Sequence, residues 1–190
     1  MQSPFASRRA LFGSIAVVAV AAVGLTSLAS NSSSAGPKGG AQVRLLDKCD
    51  PATFNLEVAP GTCITNSGGG VPFDTLLATV AATGAHPEWK FKDSAITMAA
   101  GKSLLVQNRG GEAHSFTEVK EFGTGALPPL NNPVQGAGPA VPFDPTLTVV
   151  LGGFPVIAAG GSLTITGLTA GQHKFQCLIH PWMRTVVTVS

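Results

Sequence analysis

Seven residues near the C-terminus, Cys177-Leu178-Ile179-His180-Pro181-Trp182-Met183, lie between two runs that read as strands, 173–177 and 185–189. Cys177 ends the first run and Thr185 begins the second. The seven residues therefore form a tight loop between strands, with a thiol, an imidazole and a thioether held at one end of a sheet. Such a chain has to build β-structure around that loop, because loops position reactive groups well only when a rigid scaffold holds them.

The rest of the sequence supplies that β-structure. Residues 41–46 alternate, with Val43 and Leu45 against Gln42 and Arg44, the period of a half-buried strand. Further strand-like segments occupy 89–91, 95–98, 102–107, 114–119, 147–151 and 162–166, with Gly, Asn or Asp in most gaps. Many short strands with turn signals predict a sandwich or barrel. One short helix is expected where Phe73, Leu76, Leu77 and Val80 recur at helical spacing, with Asp74 in the first turn and Gly84 and Pro87 beyond the end. Residues 50–62 read as a Pro- and Gly-rich loop. A long Pro/Gly-rich loop separates Val119 from Leu147 and exceeds the length of a simple connection.

A trigonal plane of two His and one Cys, with a weak axial Met, is the donor set of a blue-copper centre. Cys177, His180 and Met183 supply three of the four, and His114 is the candidate for the missing imidazole. The set suits one copper ion cycling between Cu(II) and Cu(I): it compromises between the nitrogen ligands that Cu(II) favours and the soft sulfur that Cu(I) favours. Taken singly, Cys177 is equally a buried filler, His180 a surface residue and Met183 a core plug. Jointly, their spacing favours copper over zinc, which also accepts Cys and His. Of the other candidates, His173 reads as a packed strand residue, His86 as a surface residue and Met98 as core. Glu112, Glu118 and Glu121 read as a solvated face.

The segment 171–189 resembles the C-terminal copper loop of the cupredoxins, the blue (type 1) copper proteins. Its short Cys-x-x-His-x-x-Met form, with Pro181 and Trp182 inside, is most similar to the amicyanin/plastocyanin-like members, and to amicyanin above all. Asn108 followed by His114 fits the family's upstream ligand loop. The resemblance implies a cupredoxin-like Greek-key β-sandwich over 41–190, an electron carrier and not an enzyme, passing single electrons between a protein donor and a protein acceptor. It also implies that Ser115 stands where the family usually has an Asn tying the two ligand loops together. In the family the C-terminal-loop His reaches the surface through an apolar patch, which makes Pro181 and Trp182 the expected partner-docking residues.

Charge and cysteine usage place the chain in the cell. Residues 1–35 read as a signal peptide: Arg8 and Arg9 precede an apolar run with no acid, in a pattern similar to a twin-arginine leader with Leu11 and Phe12 in inverted order. A flexible linker is expected at 36–40. The chain has 12 Lys+Arg and 10 Asp+Glu. Removing the leader takes away two Arg, which leaves a near-neutral domain with no electrostatic case for a nucleic-acid partner. The expectation is an exported monomer, periplasmic or extracellular, with no stable membrane insertion once the leader is gone. A retained N-terminal anchor is the alternative, since the apolar run is long enough to span a bilayer. Of three Cys, Cys49 and Cys63 are expected to form a disulfide in an oxidising compartment, leaving Cys177 as the special thiol. Two rivals to electron transfer are a copper carrier or storage protein, and a structural module that keeps the fold. The chain has only four His, none in His-x-His pairs, which argues against a multicopper enzyme.

Overall fold

The computed structural model describes residues 40–64, 69–123, 125–127, 130, 150–151 and 154–190. The expected leader, most of the linker and most of the long Pro/Gly-rich loop lie outside those residues. In chain order the elements are β1 (Ala41–Leu46), α1 (Pro51–Glu57), α2 (Phe73–Thr83), β2 (Lys90–Phe91), β3 (Ala95–Met98), β4 (Leu104–Asn108), β5 (Thr117–Val119), β6 (Val150–Leu151), β7 (Phe154–Pro155), β8 (Ser162–Ile165), β9 (Gly171–Gln176) and β10 (Arg184–Val189).

Two four-stranded sheets make the sandwich, ordered β2-β1-β4-β8 and β3-β10-β9-β5, with β6 and β7 as a separate short pair. Most pairings are antiparallel, but β1 runs parallel to β4 and β10 parallel to β3. Alternation decides which side chains face inward. On β4, Leu104, Val106 and Asn108 are buried; on β10, Thr185, Val187 and Val189 are. The inward faces meet in one core, where Phe116 of the second-sheet side stacks on Phe175 at 4.4 Å and meets Phe91 of the first sheet at 5.2 Å. Each fully buried side chain of this size contributes on the order of 1.5–3 kcal/mol relative to exposure.

The chain carries two helices among the described residues, not the one expected. The stretch read as a loop contains α1. Asp50 caps it, accepting from the backbone N–H of Thr53 at 3.1 Å and of Ala52 at 3.4 Å, and Pro51 takes the first helical position. An Asp cap followed by Pro is a helix-start signal, here masked by the Pro and Gly content around it. The helix buries Phe54, which stacks on Trp89 at 6.0 Å and meets Phe73 of α2 edge-on at 5.1 Å. The Thr53 hydroxyl accepts from the Phe73 N–H at 3.1 Å and so serves the start of α2. That helix ends as expected: Gly84 sits at φ 80° and its N–H donates to the Val80 carbonyl at 2.8 Å.

Cys49 and Cys63 form a disulfide with Cα atoms 6.1 Å apart, and Asn55 bridges the closed loop by accepting from Cys63 N–H and donating to its carbonyl. Two smaller expectations change. The strand expected over 114–119 shortens to β5, while His114 exchanges backbone hydrogen bonds with Ile157 at 3.1 and 2.7 Å. His86 is buried, not superficial, because its ring packs edge-on against Trp89 at 4.8 Å. Among the described residues no helix is long and apolar enough to cross a membrane.

Candidate metal centre

Two loops converge at one end of the sandwich. The upstream loop leaves β4 at Asn108, a buried residue whose side chain shapes the turn. Its Nδ2 donates to the carbonyls of Glu112 (2.7 Å) and Ile157 (2.9 Å), and its Oδ1 accepts from the Gly110 N–H (2.9 Å). That folded turn delivers His114. The downstream loop joins β9 to β10 and is closed by two backbone bonds, Cys177 N–H to the Met183 carbonyl (3.0 Å) and Met183 N–H to the His180 carbonyl (2.9 Å).

The convergence brings His114, Cys177 and His180 together, all buried, with one candidate donor atom from each within 4.8 Å of the others. Nδ1 of His114 lies 4.0 Å from Cys177 Sγ and Nδ1 of His180 lies 3.9 Å from it. A trigonal site with metal–sulfur and metal–nitrogen bonds of about 2.3 and 2.0 Å has donors roughly 3.7 Å apart, so the spacing admits one ion with little adjustment. Met183 is buried in the same loop. His173 is not part of the cluster: its ring bonds Glu118 and the Thr169 carbonyl.

The surroundings of the thiol favour its ionised form. Cys177 Sγ accepts from the backbone N–H groups of Ser115 and His180, each at 3.4 Å. Burial pushes the thiol pKa up, but the two histidines outweigh it and hold it well below the usual thiol range. The thiolate is the form that ligates metals. Burial likewise disfavours charge on His114, yet Asp47 and Cys177 raise its pKa to about 10. Ser115, which departs from the Asn usual in the family, still joins the two loops: its Oγ accepts from the Leu178 N–H at 2.7 Å.

Two carboxylates behind the histidines escaped the sequence reading. Asp47, just past β1, has its Oδ2 2.8 Å from His114 Nε2 and its side chain is fully buried. Burial pushes its carboxyl up, but His114 and the amides of Cys49 and Gly111 outweigh that and hold it down at about 2. Glu112 is buried as well, which corrects its assignment to a solvated face. Its Oε2 accepts from Trp89 Nε1 at 2.6 Å and lies 3.6 Å from His180 Nε2. Burial pushes its carboxyl up against the opposing pull of His180 and Trp89. Nothing local could have linked Asp47 to a histidine 67 positions away. Glu118 and Glu121 pair with His173 and Lys174 on or beside β9.

The expected docking residues are placed unevenly. Pro181 is buried and Trp182 half-buried. The described part of 122–127 lies against the ligand loop, with Ala126 N–H donating to the Leu178 carbonyl at 2.6 Å. A Cβ on Gly125 would run into that carbonyl and sit 3.3 Å from the Pro181 ring. Gly123 is clamped there by the Gln176 side chain and by Arg184. Trp182 donates from Nε1 to the Trp89 carbonyl at 3.1 Å and sets its ring edge-on to His180 at 5.5 Å.

The two four-stranded sheets make a β-sandwich, the architecture the sequence predicts. No protein-family model and no curated protein matches the chain in sequence. Among solved structures it is similar to a purple cupredoxin from Nitrosopumilus maritimus, at 16% identity over 79% of this chain and 99% of that one, with a TM-score of 0.40. It is also similar to amicyanin from Paracoccus versutus, at 19% identity over 56% of this chain and 77% of that one, with a TM-score of 0.36. Both likenesses are distant.

Proposed function

We propose that this protein binds one copper ion through His114, Cys177, His180 and Met183 and carries single electrons between protein partners. The observation that supports this best is the pair of imidazoles presenting Nδ1 to a single buried sulfur, at 4.0 and 3.9 Å. When bound, copper supplies a one-electron couple.

The chain's own residues do the rest. Cys177 offers a thiolate held by two backbone N–H groups. His114 and His180 would hold the ion beside that thiolate, and Met183 would supply a further, weaker thioether donor. The ligands come from loops anchored at the ends of β4, β9 and β10, with Ser115 joining the loops. A site held this rigidly changes little between charge states, which lowers the reorganisation that electron transfer requires. Burial of His114, Cys177 and His180 keeps bulk water from the three donors. The reading includes export: a leader over 1–35 would deliver the domain to an oxidising compartment, where the Cys49–Cys63 disulfide persists. Trp182 is the group by which a partner would reach His180.

Visible spectroscopy on Cu(II) titration tests the reading. The wild type is expected to turn intensely blue or green at one equivalent. Cys177→Ala should lose the colour, and Met183→Leu should keep it with a higher reduction potential. A colourless wild-type Cu(II) complex overturns the proposal.

A further inference from the structure

Asp47 is the most fully engaged polar side chain near the candidate centre. Its Oδ1 accepts from the backbone N–H of Cys49 (3.1 Å) and Gly111 (3.0 Å); its Oδ2 accepts from the Glu112 N–H (3.2 Å) and faces His114 Nε2 at 2.8 Å. Three fixed donors and a ring nitrogen surround a group with no exposed surface. An anionic carboxylate, an acceptor on both oxygens, is the form that satisfies them all. The sequence makes room for it at Gly110, where a Cβ would overlap the Asp47 carboxylate.

We propose that Asp47 is a positioning residue for the metal ligand His114, an inference that rests on the copper reading above. By accepting the hydrogen bond from Nε2–H, the carboxylate keeps the proton on that nitrogen and leaves Nδ1, which faces Cys177 Sγ, as the one that can give up its proton to a metal. It also fixes the ring's rotation and sets a buried negative charge beside the ligand, which favours the higher-charged metal state. Outer hydrogen-bond partners of this kind set the tautomer and basicity of ligating histidines. Glu112 stands in the equivalent place for His180, but at 3.6 Å it is beyond hydrogen-bond range, so His114 is the firmly held imidazole of the two.

Asp47→Asn isolates the effect because it keeps the shape and reverses one edge. The amide oxygen can still serve Cys49 and Gly111, while its NH2 turns toward Glu112 N–H and His114 Nε2. A donor there favours the tautomer that bears the proton on Nδ1, the nitrogen the metal needs. The test uses zinc as a redox-silent probe. In the zinc-loaded wild type, proton NMR should find a downfield, slowly exchanging His114 Nε2–H. In Asp47→Asn that signal should be lost, and zinc affinity by competition should fall about 10- to 100-fold. In the copper protein, Cu(II) affinity should fall more than Cu(I) affinity, raising the potential by about 59 mV per tenfold difference.

A wild-type His114 Nε2–H that exchanges as fast as free imidazole overturns the proposal, with no variant needed. Unchanged zinc affinity in a folded Asp47→Asn does the same. If the wild type holds zinc with the protected proton yet stays colourless with Cu(II), the copper reading falls and the role of Asp47 stands. A wild type that binds neither metal overturns both.

Discussion

Ser115 has the smallest polar side chain at the centre and makes the most direct link between its two loops. Its hydroxyl accepts from Leu178 N–H at 2.7 Å while its own N–H donates to Cys177 Sγ, so one residue fixes both the loop and the sulfur. Replacing it with Ala removes the acceptor and leaves a buried N–H unpaired, a cost of about 1–3 kcal/mol. Ser115→Ala is therefore expected to melt several degrees lower in the metal-free form and, with Cu(II), to shift the visible band. Ser115→Thr, which keeps the hydroxyl, should retain most of both. Calorimetry and absorption on the two variants check this. Equal melting of Ser115→Ala and wild type would show that the hydroxyl does not hold the loops.

At the scale of elements, the second sheet carries a pH-sensitive tie. His173 on β9 has Nδ1 2.6 Å from Glu118 Oε1 on β5 and Nε2 2.8 Å from the Thr169 carbonyl. Both partners accept, so the ring is best served with a proton on each nitrogen. Burial lowers its pKa, but the Thr169 carbonyl and the Glu118 carboxylate outweigh that and the net shift is upward. Since the folded pKa lies above the unfolded value of about 6.5, the tie is fully present below that pH. It is lost as pH rises through the folded pKa. The expected contribution is modest, roughly 0.2–1 kcal/mol, as for other part-exposed cross-strand pairs. Denaturant melts of wild type and His173→Gln should differ most between about pH 5 and 6, and the gap should close on going alkaline. A gap that widens with pH would rule the tie out.

For the molecule as a whole, the question the copper proposal raises is how an electron would leave a centre whose candidate ligands are buried. His180 is only 1% exposed and Pro181 is buried, so neither offers an open edge. Trp182 touches His180 and keeps part of its surface in solvent. An aromatic that spans the two suits an interface anchor. Electron self-exchange needs no known partner and is read from NMR line broadening in mixtures of the reduced and oxidised copper protein. Trp182→Ala is expected to slow it at least tenfold. Trp182→Phe keeps an aromatic ring, though a smaller one, and loses the bond to the Trp89 carbonyl, worth about 1 kcal/mol; it should stay within a few-fold of wild type. Equal rates in the wild type and Trp182→Ala would place the exit elsewhere.

What the sequence determined by itself was local. Alternation located β1, and strand-like runs punctuated by Gly, Asn or Asp located β3, β8, β9 and β10 to within a residue or two, because strand and turn preferences are local. The spacing of Phe73, Leu76 and Val80 gave α2, and the seven-residue loop gave three candidate donors, because loop residues between paired strands cannot move far apart. The first helix was legible in the Asp50-Pro51 cap but was hidden by the turn-forming residues around it. Only the tertiary structure decided what surrounds the donors. The pairing of β1 with β4 carries Asp47 to the turn 108–114, and that turn tucks Glu112 inward to Trp89 and His180. Such contacts join residues far apart in the chain, and their geometry follows from sheet order and close packing, which no local pattern records.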